Sequence, residues 1–328
     1  MKLLVYAAGV LGITLFLALV LRSDVPGMLA IAMRGGLPLL WLIPFRALFF
    51  FLFAAGWAML LRPYDPERRA SLGYLFWVTT VREAIDRLLP VASVGGAVAG
   101  VRLLGWRGVA GAPASATVIV EVILNLVASW LFAVLGVALL GHFDGTSDNY
   151  HHIALALMLS LPVPIVLTLL LGSGAVFSRL ERILAGVVGI SVSATGAEAL
   201  DRALRSSLRP GWPLLSAAAL QLLALLSGSF EIWFALHLFG HPVGVGGALM
   251  LESMVQAFRN VAFMVPASLG VQETVLVVFG HSLGIGTEMA IALSLVKRLR
   301  EVLWGVGSLL SWQWMEGRRL RLPAQNMS

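Results

Sequence analysis

Residues 287–314 read TEMAIALSLVKRLREVLWGVGSLLSWQW, an apolar stretch whose centre is the charged run KRLRE at 297–301. A transmembrane helix needs about 20 mainly apolar residues, so this stretch is long enough to cross a bilayer. Each charge at the centre of such a helix costs roughly 2.5–3.5 kcal/mol on insertion scales. We therefore expect the charged side chains to face the protein interior or a wet cavity. Pairing of Lys297 with Glu301, four residues on, would leave a positive surplus for an anionic guest.

Two less specific interpretations of this charged run are open. The cations could neutralise carboxylates on neighbouring helices. Alternatively, the helix could sit deeper, so that the run lies at the membrane interface rather than at its centre.

The composition is that of an integral membrane protein. Of 328 residues, 59% are apolar and 12% are charged, and the mean hydropathy is +0.91, far from soluble averages. No polar block in these residues is large enough for an appended soluble catalytic domain. The net charge of +6 comes mostly from arginine, which fits cytoplasmic loops over anionic lipid better than nucleic-acid binding. The lack of cysteine excludes a disulfide, a thiol nucleophile and a cysteine-ligated metal.

Hydropathy predicts an all-α polytopic membrane protein with about six transmembrane helices, at residues 3–21, 37–61, 114–140, 153–171, 212–238 and 288–314. The first is interpreted as a retained anchor, because no small-residue cleavage site follows it. Arginines cluster at 62–69, at 179–209 and in the tail, whereas 141–152 and 239–247 contain no lysine or arginine. The positive-inside rule therefore predicts that both termini are cytoplasmic.

Two stretches, 72–110 and 247–283, are left over, and each must start and end on one side of the membrane. Each combines apolar helical spacing with a breaker, LPVASVGG at 89–96 and VPASLGVQE at 265–273. Irregular backbone at membrane depth is tolerated only where protein or a water-filled cavity satisfies its amides. We therefore predict two re-entrant helical hairpins whose breakers act as gates, through Pro90, Ser93, Gly95, Gly96, Pro266, Ser268 and Gly270.

The order crossing, hairpin, crossing occurs twice, at 37–140 and 212–314, with the hairpins entering from opposite faces. Within a single membrane domain over 1–328, this predicts an inverted-topology repeat of the kind that transporters use for alternating access. Eight ordinary crossings would also fit the hydropathy. Between the halves, 173–211 is predicted to be a cytoplasmic amphipathic linker. Its basic face, with Arg202, Arg205 and Arg209, would touch anionic head groups or be solvated.

Charged residues within the apolar segments are the candidate functional residues. Both hairpins carry one polar helical face, at 82, 83, 86 and 87 and at 252, 256, 259 and 260, with Arg82–Asp86 and Glu83–Arg87 at pairing distance along the chain. The candidate substrate-binding residues are Arg46, Asp86, Arg87, Glu252, Gln256, Arg259, Lys297, Arg298 and Arg300. Residues expected to couple ions or to form structural pairs are Glu83, Glu121, Glu231, Glu273 and Glu301.

The alternatives to these assignments are structural. The charged face at 82–87 would also suit a helix lying on the cytoplasmic surface. Each buried carboxylate would also suit a salt bridge to Arg46 or to the basic run.

Signatures of soluble enzymes are absent. The six histidines are scattered, and no HExxH, GxSxG or phosphate-binding loop occurs. We expect no catalytic residue, cofactor or metal. An intramembrane enzyme with Glu273 or Asp86 as general base is the alternative.

The breaker VPASLGVQE at 265–273 resembles the Pro-Gly-Gly-Leu-Gly-x-x-Glu segment of the transmembrane domain of lysylphosphatidylglycerol synthases and of its stand-alone relatives, the UPF0104 or flippase-like family. The runs LLPVASVGG (88–96), RLL (102–104), ESMVQAFR (252–259) and ALSLVKRLREVLWG (292–305) most closely resemble the hopanoid-biosynthesis-associated branch, the HpnL membrane proteins. Together these runs are spread over most of the chain after residue 70. Two departures are Pro266-Ala267-Ser268 in place of Pro-Gly-Gly, and Ala97 in place of a carboxylate.

The resemblance implies a bacterial inner-membrane protein that moves a lipid between leaflets or membranes, without aminoacyl transfer. It indicates a hopanoid, whereas the cationic interior indicates an anionic phospholipid or a polyprenyl phosphate. We therefore expect a flippase-like transporter in which Arg259, Lys297, Arg298 and Arg300 hold an anionic head group. Lipid-synthesis enzymes are candidate partners, and nucleic acid is not. The alternatives are a non-transporting scaffold for such enzymes and a lipid-modifying enzyme.

Overall fold

The computed structural model describes residues 33–88, 95–144, 148–160, 166, 194–262 and 270–321, which form helices and short connections without a strand. Four helices form quartet A: α1 (Leu42–Leu61), α2 (Leu72–Leu88), α3 (Gly95–Gly105) and α4 (Gly111–Asp144). They are followed by α5 (Asp148–Ser160) and α6 (Ala194–Ser207). Four more form quartet B: α7 (Trp212–Leu238), α8 (Val245–Val261), α9 (Val271–Gly280) and α10 (Thr287–Arg321).

Three described helical segments are long and apolar enough to cross a membrane: Leu37–Leu61, Gly111–Phe143 and Trp212–Leu238. The first combines α1 with the 3-10 turn Leu37–Trp41 before it. Two of the three match predicted crossings residue for residue, and the other contains the crossing predicted at 114–140. The prediction at 288–314 lies within α10, which carries the charged run. The predicted crossing at 3–21 and most of that at 153–171 lie outside the described residues.

Large apolar side chains cover the outside of the long helices. Leu131 on α4, Leu223 on α7 and Leu310 on α10 are 46%, 51% and 65% exposed. Many exposed large apolar side chains are unfavourable in water and typical of helices that contact lipid. Trp212 and Trp314 are exposed near helix ends, where aromatic side chains occupy the membrane–water interface. The fold is therefore an all-helical membrane fold.

The two quartets have the same succession of helix lengths. Each begins with a long helix, continues with one of 17 residues, then with one of 11 (α3) or 10 (α9), and ends with one of 34 (α4) or 35 (α10). Within each quartet, consecutive helices pack against each other. Between the quartets, α1 packs on α7, α4 on α8, and α10 on α2. If each helix of quartet A is exchanged with the corresponding helix of quartet B, the same pairs of helices are neighbours.

A glycine lies at each of the two long crossings between quartets. On α4, a Cβ added to Gly136 would lie 2.7 Å from Ser253 Cβ on α8. On α10, a Cβ added to Gly305 would lie 3.0 Å from Leu88 Cγ on α2. Both distances are shorter than carbon atoms tolerate without displacement. The last helix of each quartet thus approaches the other quartet closely because it lacks a side chain at the contact, as small residues allow in membrane helices.

Each quartet has an apolar core of its own. In quartet A, the fully buried Trp57, Leu75 and Leu103 belong to one cluster contributed by α1–α4. In quartet B, Ile232, Met250 and Leu293 belong to another, which the ends of α1 and α4 complete. One interior ion pair, Arg46 with Glu231, connects α1 of quartet A with α7 of quartet B.

The described part of the predicted linker is helix α6. It packs on α4, and the Tyr64 hydroxyl donates a hydrogen bond of 2.9 Å to the Ala203 carbonyl. Its arginines Arg202, Arg205 and the following Arg209 are exposed. The linker helix is therefore held against quartet A with its basic side outward.

Gly136→Ala should lower the free energy of unfolding by about 1–3 kcal/mol, because overpacking of this size is destabilising. Ser253 cannot easily move away, since its hydroxyl donates to the Met250 carbonyl at 2.7 Å and its side chain is fully buried. Unfolding of the purified protein in mixed micelles measures the effect.

Gly307→Ala on α10 is the matched control, because no atom lies within 4 Å of its added Cβ. It should leave stability unchanged or raise it, since alanine favours a helix. Equal stability losses in the two variants would contradict the close-approach interpretation.

Candidate functional site

The three cations of the run at 297–301 on α10 each contact a carboxylate from a different helix of quartet B. Lys297 pairs with Glu252 on α8, and Arg300 pairs with Glu231 on α7. Arg298 Nε lies 3.1 Å from Glu273 Oε1 on α9. Lys297 and Arg300 are 2% and 4% exposed, so these ion pairs are buried.

The pairing of Lys297 with Glu301 that helical spacing predicted does not occur. Glu301 instead accepts a hydrogen bond from Arg259 at 2.9 Å, and lies 3.5 Å from Arg298 and 3.8 Å from Arg300. Helix α9 packs against both α8 and α10, and this arrangement brings Glu252 of α8 to Lys297. The alternative in which the run neutralises carboxylates of neighbouring helices is therefore what the structure shows.

Arg46 on α1 joins the charged residues of the two quartets. Its guanidinium lies 3.2 Å from Glu83 on α2 and 3.9 Å from Glu231 on α7. The same guanidinium lies over the ring of Phe49, 3.6 Å from the centroid, a favourable cation–π geometry. Glu231 is thus shared between Arg300 of quartet B and Arg46 of quartet A.

The charged face of α2 behaves partly as predicted. Glu83 accepts a hydrogen bond from Arg87 at 3.0 Å, the predicted pair. Arg82 does not pair with Asp86: it pairs with Glu121 on α4 and lies over Trp57, 4.7 Å from the ring centroid. The tertiary partner is favoured because α4 brings a buried carboxylate to Arg82.

Asp86 on α2 binds the start of the next helix, α3. Its Oδ1 accepts the backbone N–H of Gly96 at 2.9 Å. A negative side chain at this end of α3 also complements the helix dipole. Gly96 allows this approach because an added Cβ would overlap Asp86 and would lie 2.6 Å from the Arg82 carbonyl.

The interior charges balance when all are ionised. Counting the residues of this network within the described part of the chain, there are seven cations and seven carboxylates. The cations are Arg46, Arg82, Arg87, Arg259, Lys297, Arg298 and Arg300. The carboxylates are Glu83, Asp86, Glu121, Glu231, Glu252, Glu273 and Glu301. The positive surplus expected from the run at 297–301 is therefore absent, because other helices supply the missing negative charge.

A cavity of about 350 Å³, here called the large cavity, opens among α1, α2, α4, α7 and α8. Its polar lining includes three arginines, three carboxylates and three side-chain amides, and its apolar lining includes three phenylalanines. Val122 on its rim is 49% exposed, so the cavity reaches the lipid-facing surface. The lining residues used below are Phe49, Phe50, Phe53, Arg82, Glu83, Asp86, Arg87, Glu121, Asn125, Gln256, Arg259 and Asn260.

A smaller cavity of about 20 Å³ adjoins the large one and shares Phe50, Glu83 and Arg87 with it. Arg46, Arg300, Glu301 and Trp304 complete its lining on the α1 and α10 side. Its volume is about that of a single water probe. These three shared residues therefore separate the large cavity from the centre of the ion-pair network.

The predicted substrate-binding residues fall into three groups. Four of them line the large cavity: Asp86, Arg87, Gln256 and Arg259. Arg46 and Arg300 line only the small cavity. Glu252, Lys297 and Arg298 line neither of these cavities and form ion pairs between helices.

Some of the predicted gate residues can also be placed. Gly95 and Gly96 begin α3, and Gly270 precedes α9 with a φ of 77°, a left-handed conformation that glycine adopts without strain. The other four, Pro90, Ser93, Pro266 and Ser268, lie outside the described residues.

The apolar wall of the large cavity was not predicted as part of the site. Phe49, Phe50 and Phe53 belong to the run FFFLF at 49–53, which on sequence alone reads as a lipid-facing helix surface. Their proximity to Arg46 was the available signal, since arginine in a transmembrane helix stacks on neighbouring aromatic rings. Within the described residues, no three histidine, aspartate or glutamate side chains converge as metal ligands would.

One model of a known protein family matches most of this chain. The family model of the lysylphosphatidylglycerol synthase transmembrane region matches residues 6–306. The chain belongs to this family. Searches of curated proteins and of solved structures gave no significant match. Membership of the family indicates a membrane protein with a lipid-related function and agrees with the resemblance found at 265–273.

Lys297→Met should lower the free energy of unfolding by about 3–5 kcal/mol, because it leaves the Glu252 carboxylate buried without its partner. Unfolding in mixed micelles gives the value.

The double variant Lys297→Met/Glu252→Leu should recover most of this loss, since an apolar pair of similar volume avoids burying charge. If the double variant is as unstable as the single one, the pair has a role beyond mutual neutralisation.

Proposed function

We propose that this protein is a flippase-like transporter of the bacterial inner membrane. It moves an anionic or hopanoid-type lipid across or between membranes by alternating access. The observation that carries the proposal is the large cavity, which has a charged interior and an apolar rim at the lipid-facing surface. A lipid placed there would have its head group among the polar side chains and its hydrocarbon chains in the bilayer. Family membership supports a lipid as the cargo.

Alternating access requires two units that can rock against each other. We propose that residues 37–140 and 212–314 are inverted-topology repeats, corresponding to quartets A and B. The matching helix lengths and the symmetric set of neighbours support this assignment. The α1–α7 contact and the glycine contacts at Gly136 and Gly305 are then the surfaces on which the repeats move.

The short helices support the two re-entrant hairpins of the proposal. With 11 and 10 residues, α3 and α9 are about 16 and 15 Å long. The hydrocarbon core of a bilayer is about 30 Å thick, so neither helix crosses it. Each packs against the preceding 17-residue helix, as the two arms of a hairpin would.

The proposed orientation has both termini in the cytoplasm. The exposed arginines of α6 and the exposed Arg62 and Arg68 then lie on the cytoplasmic side, in accordance with the positive-inside rule. We further assign the chain to the hopanoid-biosynthesis-associated branch of the family, on the runs at 88–96, 252–259 and 292–305.

In this proposal the predicted site residues divide into two roles. Arg87, Gln256 and Arg259 contact the head group from the cavity wall. Lys297, Arg298 and Arg300 hold α8, α9 and α7 to α10, so they position the second hairpin. Asp86 holds the first hairpin closed through Gly96.

Arg259→Gln should slow lipid movement at least about tenfold, the factor that corresponds to about 1.4 kcal/mol. The variant should fold, because Glu301 keeps Arg298 and Arg300 as partners. The measurement is dithionite quenching of fluorescent phosphatidylglycerol and of a neutral glycolipid in proteoliposomes.

Arg102→Gln is the control, since Arg102 is exposed and outside the cavity. Lipid movement no faster in wild-type proteoliposomes than in protein-free vesicles would reject transport and favour the scaffold. A chemically altered lipid would favour the intramembrane enzyme.

A disulfide between the repeats should stop transport. The chain has no cysteine, so Leu88→Cys/Gly305→Cys introduces one defined pair at the contact of α2 with α10. The Gly305 Cβ position lies 3.0 Å from Leu88 Cγ, close to the spacing a disulfide needs. Oxidation should abolish lipid movement, and reduction should restore it.

The two single-cysteine variants should be insensitive to oxidation. Full transport with the disulfide formed quantitatively would exclude rocking at this contact. Whether the protein transports lipid by another mechanism is then decided by the dithionite-quenching assay.

A further inference from the structure

We infer that the large cavity selects an uncharged head group with several hydroxyls over an anionic one. The inference rests on the proposed transport function, which makes this cavity the head-group site. It concerns the chemical class of the cargo, and it departs from the anionic guest expected from the run at 297–301.

The first observation is that every cation lining the large cavity already has a carboxylate partner. Arg82 pairs with Glu121 and Arg87 with Glu83, and Arg259 donates to Glu301. An anionic head group would have to compete with these carboxylates. It would also bring a net charge into a balanced interior, which costs several kcal/mol unless a free counter-charge is present.

The second observation concerns Asp86. Within the described residues no lysine, arginine or histidine nitrogen lies within 4 Å of its carboxylate, which receives only the Gly96 N–H. A carboxylate only accepts hydrogen bonds, so its second oxygen favours a ligand that donates. A hydroxyl donates without adding charge, whereas a phosphate oxygen would be repelled.

The neutral polar groups of the lining suit the same ligand. Asn125, Gln256 and Asn260 each present both a donor and an acceptor to the cavity. The Gln256–Asn260 hydrogen bond is long, at 3.4 Å, so a ligand can replace it at small cost. Hydroxyl groups donate and accept at once, and several of them can satisfy such amides together.

The apolar wall also disfavours an anion. Phe49, Phe50 and Phe53 line the cavity on the α1 side. These rings offer no hydrogen-bond donor to an anion, whereas they can pack against the carbon-bound hydrogens of a sugar or polyol. The volume of about 350 Å³ lies in the range of small-ligand pockets. Charge, hydrogen bonding and shape thus agree on a polyhydroxylated head group.

The test is native mass spectrometry of the purified full chain with equal amounts of three lipids that have the same acyl chains. The probes are a dihexosyl diacylglycerol, phosphatidylethanolamine and phosphatidylglycerol. Wild type should retain the dihexosyl lipid about tenfold more than phosphatidylglycerol, and more than phosphatidylethanolamine. Preferential retention of either phospholipid would overturn the inference.

Asp86→Asn should shift this preference toward phosphatidylglycerol by about fivefold, because it removes one negative charge while keeping a side chain that can accept the Gly96 N–H. Glu288→Gln makes the same chemical change at an exposed position outside the cavity and should change nothing. Gln256→Leu should weaken retention of the dihexosyl lipid, whereas Gln313→Leu at an exposed site should not.

Identical preferences in wild type, Asp86→Asn and Gln256→Leu would place the lipid elsewhere and reject the inference. Since this readout needs no transport, it is separable from the proposed function. Selective retention of the dihexosyl lipid without movement in vesicles would reject transport and keep the binding site. Movement of phosphatidylglycerol in vesicles, without selective retention of the dihexosyl lipid, would keep the transport proposal and reject the inferred head-group preference.

Discussion

The neutralisation of buried charge is the constraint on which the arrangement of the helices depends. An unpaired charge in a low-dielectric interior costs several kcal/mol, more than most packing errors. Three cations within one turn of α10 therefore require three carboxylates, which Glu231, Glu252 and Glu273 supply from α7, α8 and α9. These contacts determine the rotation of α10 about its axis and its position relative to α7, α8 and α9.

The same constraint explains where the cavity lies. Around the cavity, Arg82 of α2 pairs with Glu121 of α4, Glu83 of α2 pairs with Arg46 of α1 and with Arg87, and Arg259 of α8 pairs with Glu301 of α10. The space between these paired side chains is the large cavity. Phenylalanines of α1 form its apolar side. A site of this kind is polar without having a net charge, which is the basis of the proposed head-group preference.

Close helix approach is the second requirement of the fold. Gly136 and Gly305 let α4 and α10 reach the opposite quartet, so the two quartets share a contact surface while each keeps its own apolar core. Among the ion pairs found in the described residues, two join the quartets: the exposed pair of Arg102 with Glu316 and the interior pair of Arg46 with Glu231. The interior pair is a long contact, at 3.9 Å, which agrees with the proposed movement of the quartets relative to each other.

Much of this protein follows from the amino-acid sequence alone: the membrane class, the crossings at 37–61 and 212–238, the family, and the Glu83–Arg87 pair. Each of these depends on composition or on spacing within one helix, which local sequence determines. The partners of Lys297 and Arg82, the balance of the interior charge and the phenylalanine wall were decided only by tertiary structure. Residues far apart in the chain meet according to how helices rotate and cross, and hydrophobic periodicity in a membrane helix defines neither.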